Sequence, residues 1–588
     1  MAESIISPGV LTRENDISFI TPAPIQAGAA FIGPTVKGPN NQPTIVTSYN
    51  DFTRKFGETF TSGSSNYEFL TSLAVKNYFS QGGNTALITR VVSGAYDPAV
   101  TTFISASAKP GIEPFELTTL GRGAMYNNAA GELSALLGGA SYINTDGSLV
   151  TGSADNVRWE IQNVNNAQGT FTLLVRQGDD STNNPTILET FNNVSLDPNS
   201  PNYIEAVIGN QYTTVGTDGS TSYIYKEGTY PNRSNFVRVS AVSLATPNYL
   251  STDGVSVNRD ITGQSYSGSL PISASGSFYN AQGAVKSGAT YFANLGTNNT
   301  DAQGLVAANY ATAISLLSNK DEYQINMVSA PGMIHSSTIG QSVNNSIISL
   351  AEQRGDCIAV VDLVPTGSVI SAVTGQAAAI NSSYAATYWP WVQVQSATGK
   401  NEYVPAGTVI PGVYAFTDNA SAPWFAPAGL VRGGLAGVIQ AERKLTKGDR
   451  DTLYLGKVNP IATFPGTGIS VFGQKTLQTK ASALDRVNVR RLLIELKKFI
   501  GDQARNLVFE QNTIATRNRF LATVNPYLES VVQRQGLYAY RVVMDDTNNT
   551  ADVVDRNQLV GQIFIQPTKT IEFVVLDFTI EPTGATFA

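Results

Sequence analysis

The stretch from Ser482 to Pro582 limits what this chain can fold into more than any other. Val489, Leu492, Leu493, Leu496, Phe499 and Ile500 recur at helical spacing and make one apolar stripe. Ser482-Ala483-Leu484-Asp485 has the hydroxyl and the later carboxylate of a capping box, which predicts a helix start there. A second helical stretch is expected from about Asp502 towards Thr523. Asn525-Pro526 reads as a fresh helix start and Gly536 as its stop. LYAYRVVM, QIFIQ and TIEFVVLDFTI then read as strands. The last of these has an apolar centre, Phe573-Val574-Val575-Leu576, which is an aggregation hazard on a free edge and is protected once paired. The unit is expected to be a compact α/β module that ends on a strand. Its helix also carries Arg486, Arg490, Arg491, Lys497 and Lys498 against only Asp485 and Glu495.

At 588 residues the chain is too long for one core, so three or four domains are expected. Charged residues are only 14% and glycines number 52, as suits a turn-rich β protein with a neutral polar surface. The net charge of −7 argues against wholesale nucleic-acid binding. A single cysteine, Cys357, excludes an intrachain disulfide and a cysteine-based zinc site. It reads as a small apolar residue at a strand start. The N-terminus lacks a basic-then-apolar pattern, and no apolar run reaches the ~18 residues of a membrane span. Folding in a cytoplasm, without membrane insertion, is the expectation.

Along the chain, residues 1–22 read as an extended arm broken by Pro8-Gly9. From Ala27 a strand, a short helix from Tyr49 to near Gly57, a helix from Tyr67 to Phe79 and a strand TALITRVV form an α/β layer. Between 96 and 300 short alternating strands replace it, among them VRWEIQNV, TFTLLVRQ and FVRVSAVSL, with no long helix. This region reads as one or two inserted β domains. Residues 250–300 are so rich in Ser, Thr, Asn and Gly that a disordered linker is the alternative there. From Leu305 the α/β pattern resumes. AANYATAISLLS and SIISLAEQRGD are expected helices, YQINMVSAP a strand, and CIAVVDLV a strand buried on both faces. SYAATYWPWVQVQ and EYVPAGTVIPGVYAF are expected to continue it.

No motif gives positive evidence for an enzyme, a metal or a cofactor. A hydrolase triad would have to use the one histidine, His335, which reads as a turn residue. Gly468 to Thr476 approaches a phosphate-binding loop, but Gln474 separates Gly473 from Lys475 and no buried strand leads into it. In Arg354-Gly355-Asp356 the glycine reads as a helix stop. Asp545-Asp546-Thr547-Asn548 lacks calcium-loop spacing and reads as a strand connection.

Several ordered motifs resemble those of contractile phage tail sheath proteins. They are Ala422-Pro423-Trp424-Phe425-Ala426-Pro427-Ala428-Gly429 with Arg432-Gly433-Gly434, then Val471 to Leu477, Val487 to Leu493, and Val508 to Asn512. Ser7-Pro8-Gly9-Val10 is similar to the family's N-terminal arm. Lys475 stands where the family usually has arginine, which keeps the charge and loses bidentate pairing. The resemblance covers 1–95 and about 305–582.

It implies an α/β (α+β) multidomain chain with a discontinuous sheath core, inserted β-rich outer domains and extended N- and C-terminal arms. The expected division is 1–22 arm, 23–95 and 301–475 core, 96–300 outer insertion, 476–568 C-terminal domain and 569–588 strand or arm. It also implies a structural subunit of a virion, assembled in the host cytoplasm, that polymerises with itself around a tail tube. Baseplate and tail terminator proteins would be its other partners. Contact residues expected on this reading are Pro8, Gly9, Val10, Arg490, Arg491, Lys497, Lys498, Phe573 and Val575. The alternatives are the sheath of a phage-like bacterial injection system and, from other classes, a subtilisin-like hydrolase or a host-binding adhesin.

Overall fold

A computed structural model describes residues 25–62, 65–92, 97–102, 113–123, 143–219, 221–280, 303 and 305–572. Pro8, Gly9, Val10, Phe573 and Val575 lie outside the described residues, as do 281–300 of the proposed linker.

The core is a six-stranded sheet built from two distant stretches of chain. Its strands are β1 (Ile25–Gly33), β2 (Thr44–Val46), β3 (Ala86–Arg90), β4 (Tyr323–Ile334), β5 (Ile358–Asp362) and β6 (Ala385–Ala386). Their spatial order is β6-β5-β4-β1-β3-β2. All neighbours are parallel except β2, which runs antiparallel to β3. The central ladder aligns Ala30 with Val328 and Phe31 with Ser329, so residues on either side of the insertion are hydrogen-bonded neighbours.

Strands covered on both faces must be apolar throughout, and β5 is buried at all five positions. Period-two alternation then divides each strand between two apolar layers. Ala30, Ile32, Leu87, Val328, Ala359 and Val361 enter one layer. Ala29, Phe31, Ile88, Met327, Ile358 and Val360 enter the other. The first layer is roofed by helix Ala307–Leu316, through Tyr310 and Ala313, and by helix Thr338–Arg354, through Val343 and Ile347. The second is roofed by Leu70–Ser80 and by Ile410–Ala420, through Leu73, Val413 and Tyr414. Gly355, in the left-handed region at φ 69°, ends the helix as the Arg-Gly-Asp reading expects, and Arg354 turns back onto Asp356 at 2.8 Å.

The inserted region carries its own apolar core, in which Phe115, Trp159, Phe171 and Phe278 are buried. Its main sheet is antiparallel, in the order Ile187–Ser195, Thr170–Gln177, Val157–Asn165, Ala274–Ser277. Among the described residues its helical segments are short, as the sequence pattern predicts. One hairpin, Tyr212–Asp218 with Thr221–Glu227, leans back on the core, where the Ser222 amide donates to Ser315 Oγ at 2.8 Å.

Two local expectations need correction. EYVPAGTVIPGVYAF is a strand only at Asn401–Val404; it becomes helix Ile410–Ala420, with Pro411 in the first turn where its missing N–H costs nothing. Ser65–Glu68 is a strand paired with Thr59–Ser62, so the following helix starts at Leu70 rather than Tyr67.

Asp362 ends β5 with its carboxylate inside the fold, where it accepts the Gly407 amide at 2.8 Å. Burial pushes its carboxyl up to about 7, against a partial offset from that hydrogen bond. A raised carboxyl pKa means the folded state holds the proton more tightly than the unfolded chain. Its ionisation therefore destabilises the fold progressively from about pH 4 to pH 7. Asp362→Asn is expected to come nearest to the parent protein below about pH 4 and to exceed it in thermal midpoint at pH 8. Calorimetry at the two pH values checks this.

Candidate assembly site in the C-terminal module

After the core sheet the chain folds into a module of two helices and a two-stranded ribbon. Helix α1 is Val487–Arg505 and helix α2 is Ile514–Gln533. Strands β7 (Leu537–Val543) and β8 (Gln562–Pro567) pair antiparallel. The expected apolar stripe is present: Leu492 and Leu496 pack with Phe520, Val524, Leu528 and Val531.

The helix boundaries differ from the sequence expectation. Ser482 caps only a single 3-10 turn, Ala483–Asp485, and Asp485 pairs with Arg486 at 2.7 Å instead of closing a capping box. Arg486 is extended, at φ −113° and ψ 134°, so α1 begins at Val487. It then runs unbroken through Asp502. Pro526 lies inside α2 rather than at a new start, because packing by Val524, Leu528 and Val531 on both sides outweighs one lost amide donor. The helix does stop before Gly536. A Cβ there would meet Val531 Cγ1 at 2.5 Å and the Trp424 ring at 3.2 Å. Trp424 is the joint between core and module: its Nε1 donates to the Arg534 carbonyl at 3.0 Å, and Ala422 and Trp424 are buried among the module's apolar residues.

The cationic face requires a larger correction. Arg490 and Arg491 are each only 4% exposed. Arg491 Nη2 meets the two Asp418 oxygens at 2.6 and 2.5 Å, and its guanidinium lies 4.6 Å from the Tyr414 ring centre. Arg490 bonds Ser383 Oγ and stacks over Tyr384 at 4.0 Å. Lys498 donates to the Ile325 carbonyl at 2.7 Å and to Asn326, with its pKa lowered by burial. These three cations bind α1 to its own core and offer no outward charge. Lys497 alone of the four is exposed, with Nζ 3.4 Å from the Tyr384 hydroxyl.

The ribbon alternates along β8 and, past a bulge between Leu537 and Ala539, along the rest of β7. Tyr540, Val542, Ile563 and Ile565 pack inward on the helices, while Tyr538 and Phe564 stay 63% and 55% exposed. Among the described residues its sheet has only these two strands, so both outer backbone edges are unpaired. Beyond β8 the chain turns back to the core, where Glu572 meets Arg486 and Gln474. Sequence reasoning missed this contact, because nothing in either segment marks the other as its neighbour. Gln474, the residue that spoils the phosphate-loop pattern, is one of its members. Lys475 lies over the Tyr454 ring at 4.4 Å instead of facing a cavity.

The remaining singled-out residues are structural in placement. His335 follows β4 and its amide donates to the Asp362 carbonyl at 2.9 Å. Asp545 accepts the Thr547 amide at 2.9 Å and Asp546 pairs with Arg517 at 2.7 Å within the strand connection. Cys357 is fully buried immediately before β5. Among the described residues no group of three or more His, Cys, Asp or Glu side chains could hold a metal. No helix among them is long and apolar enough to cross a membrane.

The fold is an α/β/α core followed by a helical module whose ribbon, among the described residues, has two strands. Comparison with known proteins places it further. Residues 298–477 match the phage tail sheath protein central domain and residues 479–581 the phage tail sheath C-terminal domain. Over these residues, a little under half of its length, the chain is similar to the contractile phage tail sheath proteins. It is 36% identical over 291 residues to the tail sheath protein of Vibrio phage KVP40, covering 48% of this chain and 43% of that protein. It is 35% identical over 264 residues to the tail sheath protein of Enterobacteria phage T4, covering 42% and 40%. The matches thus span less than half the length of these two relatives. The crystal structure of a sheath tail protein from Listeria innocua shares the fold at a TM-score of 0.50 and 10% identity, over 92% of this chain and 95% of that one.

Arg491→Met should destabilise the unassembled protein by about 2–3 kcal/mol, since it strands Asp418 in a partly buried site. Lys497→Glu should change folding stability by less than ~0.5 kcal/mol. Urea denaturation of the two variants distinguishes these outcomes.

Proposed function

We propose that this chain is the subunit of a contractile tail sheath, which polymerises around a tail tube and drives it through the host envelope for genome delivery. The observation that carries the reading is the ribbon β7–β8, with unpaired edges beside a chain end whose residues 570–580 have the pattern of a strand. An edge of this kind binds a donated strand through main-chain hydrogen bonds, and its exposed Tyr538 and Phe564 would give the added strand side-chain contacts. Donation from one copy to the next is a head-to-tail contact and generates an open helix.

On this reading residues 1–22 and 569–588 are arms, with Pro8, Gly9, Val10, Phe573 and Val575 in contact with neighbouring copies. Residues 23–95 and 301–475 form the core, 96–300 the outer insertion and 476–568 the C-terminal domain. Lys497 is the exposed cation of α1 that can meet an acidic surface on the tube or a neighbour. The baseplate and a tail terminator bound the polymer in a virion assembled in the host cytoplasm. The cores move as rigid bodies while the arms keep them connected. The extended polymer is a kinetically trapped state that relaxes to a shorter, wider one. A release of a few kcal/mol per subunit, on the scale of one domain's net stability, sums to large work along a sheath.

Removing residues 573–588 leaves every described residue in place. The truncated protein should keep the circular dichroism spectrum and thermal midpoint of the full chain and form no tubes in negative-stain microscopy. Tubes of normal length from that protein would refute strand donation by the chain's end.

A further inference from the structure

Between β8 and the end of the described chain, residues 568–572 cross from the module to the core and are held at both ends. Thr568 is fixed to the module: its amide donates to the Gly536 carbonyl at 3.2 Å, and its hydroxyl donates to the Gln535 and Gly536 carbonyls. Glu572 is fixed to the core. Arg486 Nε and Nη2 donate to its two carboxylate oxygens at 2.6 and 2.9 Å, a matched fork, and Gln474 Nε2 donates to Oε1 at 3.1 Å. Gln474 also donates to Thr570 Oγ1. Thr570 and Glu572 therefore face the core while Ile571, between them, is 85% exposed, which is the alternation of an extended chain.

The platform beneath is rigid. The Thr476 amide donates to the Asp485 carbonyl at 3.0 Å and the Val487 amide to the Gln474 carbonyl at 2.8 Å, so 474–476 and 485–487 form a short ladder. Tyr454 lies under both Lys475 and Arg486, 4.4 and 5.8 Å from its ring centre. Glu572 is desolvated to a side-chain exposure of 18%, yet its hydrogen bonds and the Arg486 charge hold its pKa below the usual carboxylate value. An ion pair with fork geometry, a neutral third donor and little solvent is worth more than a surface contact.

We infer that Arg486, Gln474 and Glu572 form a clasp that fixes the root of the C-terminal arm to its own subunit's core, so that the arm leaves from the core rather than from the ribbon. The inference rests on the strand-donation reading above and adds to it the point on the subunit from which the arm departs. A neighbour that receives the arm is then tethered to the core, and the clasp sets the distance and direction of that tether. Arg486, Gln474 and Glu572 are positioning residues here.

The test uses the full-length chain with Glu572→Gln and, separately, Arg486→Met. Hydrogen exchange is followed by mass spectrometry over peptides containing 568–572 in the unassembled protein, and tube formation is followed by negative-stain microscopy. Both variants should exchange about tenfold faster at the Thr568 amide, which donates to the Gly536 carbonyl. Their thermal midpoints should stay within ~2 °C of the parent, and their tubes should be fewer and irregular. Unchanged exchange at 568–572 in Glu572→Gln overturns the clasp. Faster exchange with tubes of normal number and regularity overturns its role in setting the tether. Failure of the parent chain itself to polymerise counts against the sheath reading, and the exchange measurement still decides whether the clasp grips.

Discussion

The parallel ladder between Ile25–Gly33 and Tyr323–Ile334 is the contact on which the other layers depend. It joins the first stretch of the core to the second, and without it neither apolar layer closes. Helices Leu70–Ser80 and Ile410–Ala420 cover the same face, but they come from opposite sides of the insertion and meet only because β1 and β4 do. The entropic cost of closing so long a loop grows only logarithmically with its length. Here it is lowered further, since the looped-out residues fold on a core of their own around Trp159 and Phe171. The outer region can therefore vary in size without disturbing the sheet, provided that its two ends stay near Arg90 and Leu305.

The C-terminal module is coupled to that sheet by a few polar anchors set in an apolar joint. Trp424 enters the module's core from the loop after helix Ile410–Ala420, and Arg491 reaches the other way to Asp418 on that same helix. Arg490 and Lys498 add two more attachments, to Ser383 and to the edge of β4. Buried cations are costly unless paired, and pairing demands one relative orientation of helix and core. The arrangement suits a subunit in which core and module act as one rigid body and adaptability is left to the chain ends.

Much of the fold was legible in the sequence because its strands have period two or are wholly apolar, and because its helices carry clear stops such as Gly355 and Gly536. The strand β5 could be read from CIAVVDLV alone. Errors came where tertiary contacts overrode local signals. Pro526 looked like a helix start because only the packing of Val524 and Leu528 shows that the helix continues. Pro411 reads as part of a strand because the apolar run around it has no helical periodicity of its own. The cationic residues of α1 were misjudged for a more general reason. Charge on a helix reads as surface when the compensating Asp418, Tyr384 and Asn326 lie far away in sequence. The Glu572 contact was invisible for the same cause, although Gln474 had already drawn notice as the residue that breaks a nucleotide-binding pattern.

Among the described residues the ribbon has no third strand on either side. A two-stranded ribbon is marginal by itself and is held here by Tyr540, Val542, Ile563 and Ile565 against the helices. Exposed edges of this kind are normally blunted by charge, proline or bulges. Here a bulge between Leu537 and Ala539 and the exposed Arg541 blunt β7 in part, while the outer face carries Tyr538 and Phe564 and Pro567 stands at the end of β8. Such an edge is tolerable in a protein that is soon polymerised and hazardous in one that remains alone. A strand taken from a neighbour would satisfy the same groups that invite aggregation. On the proposed reading, the device that makes the sheath would then also protect its subunit.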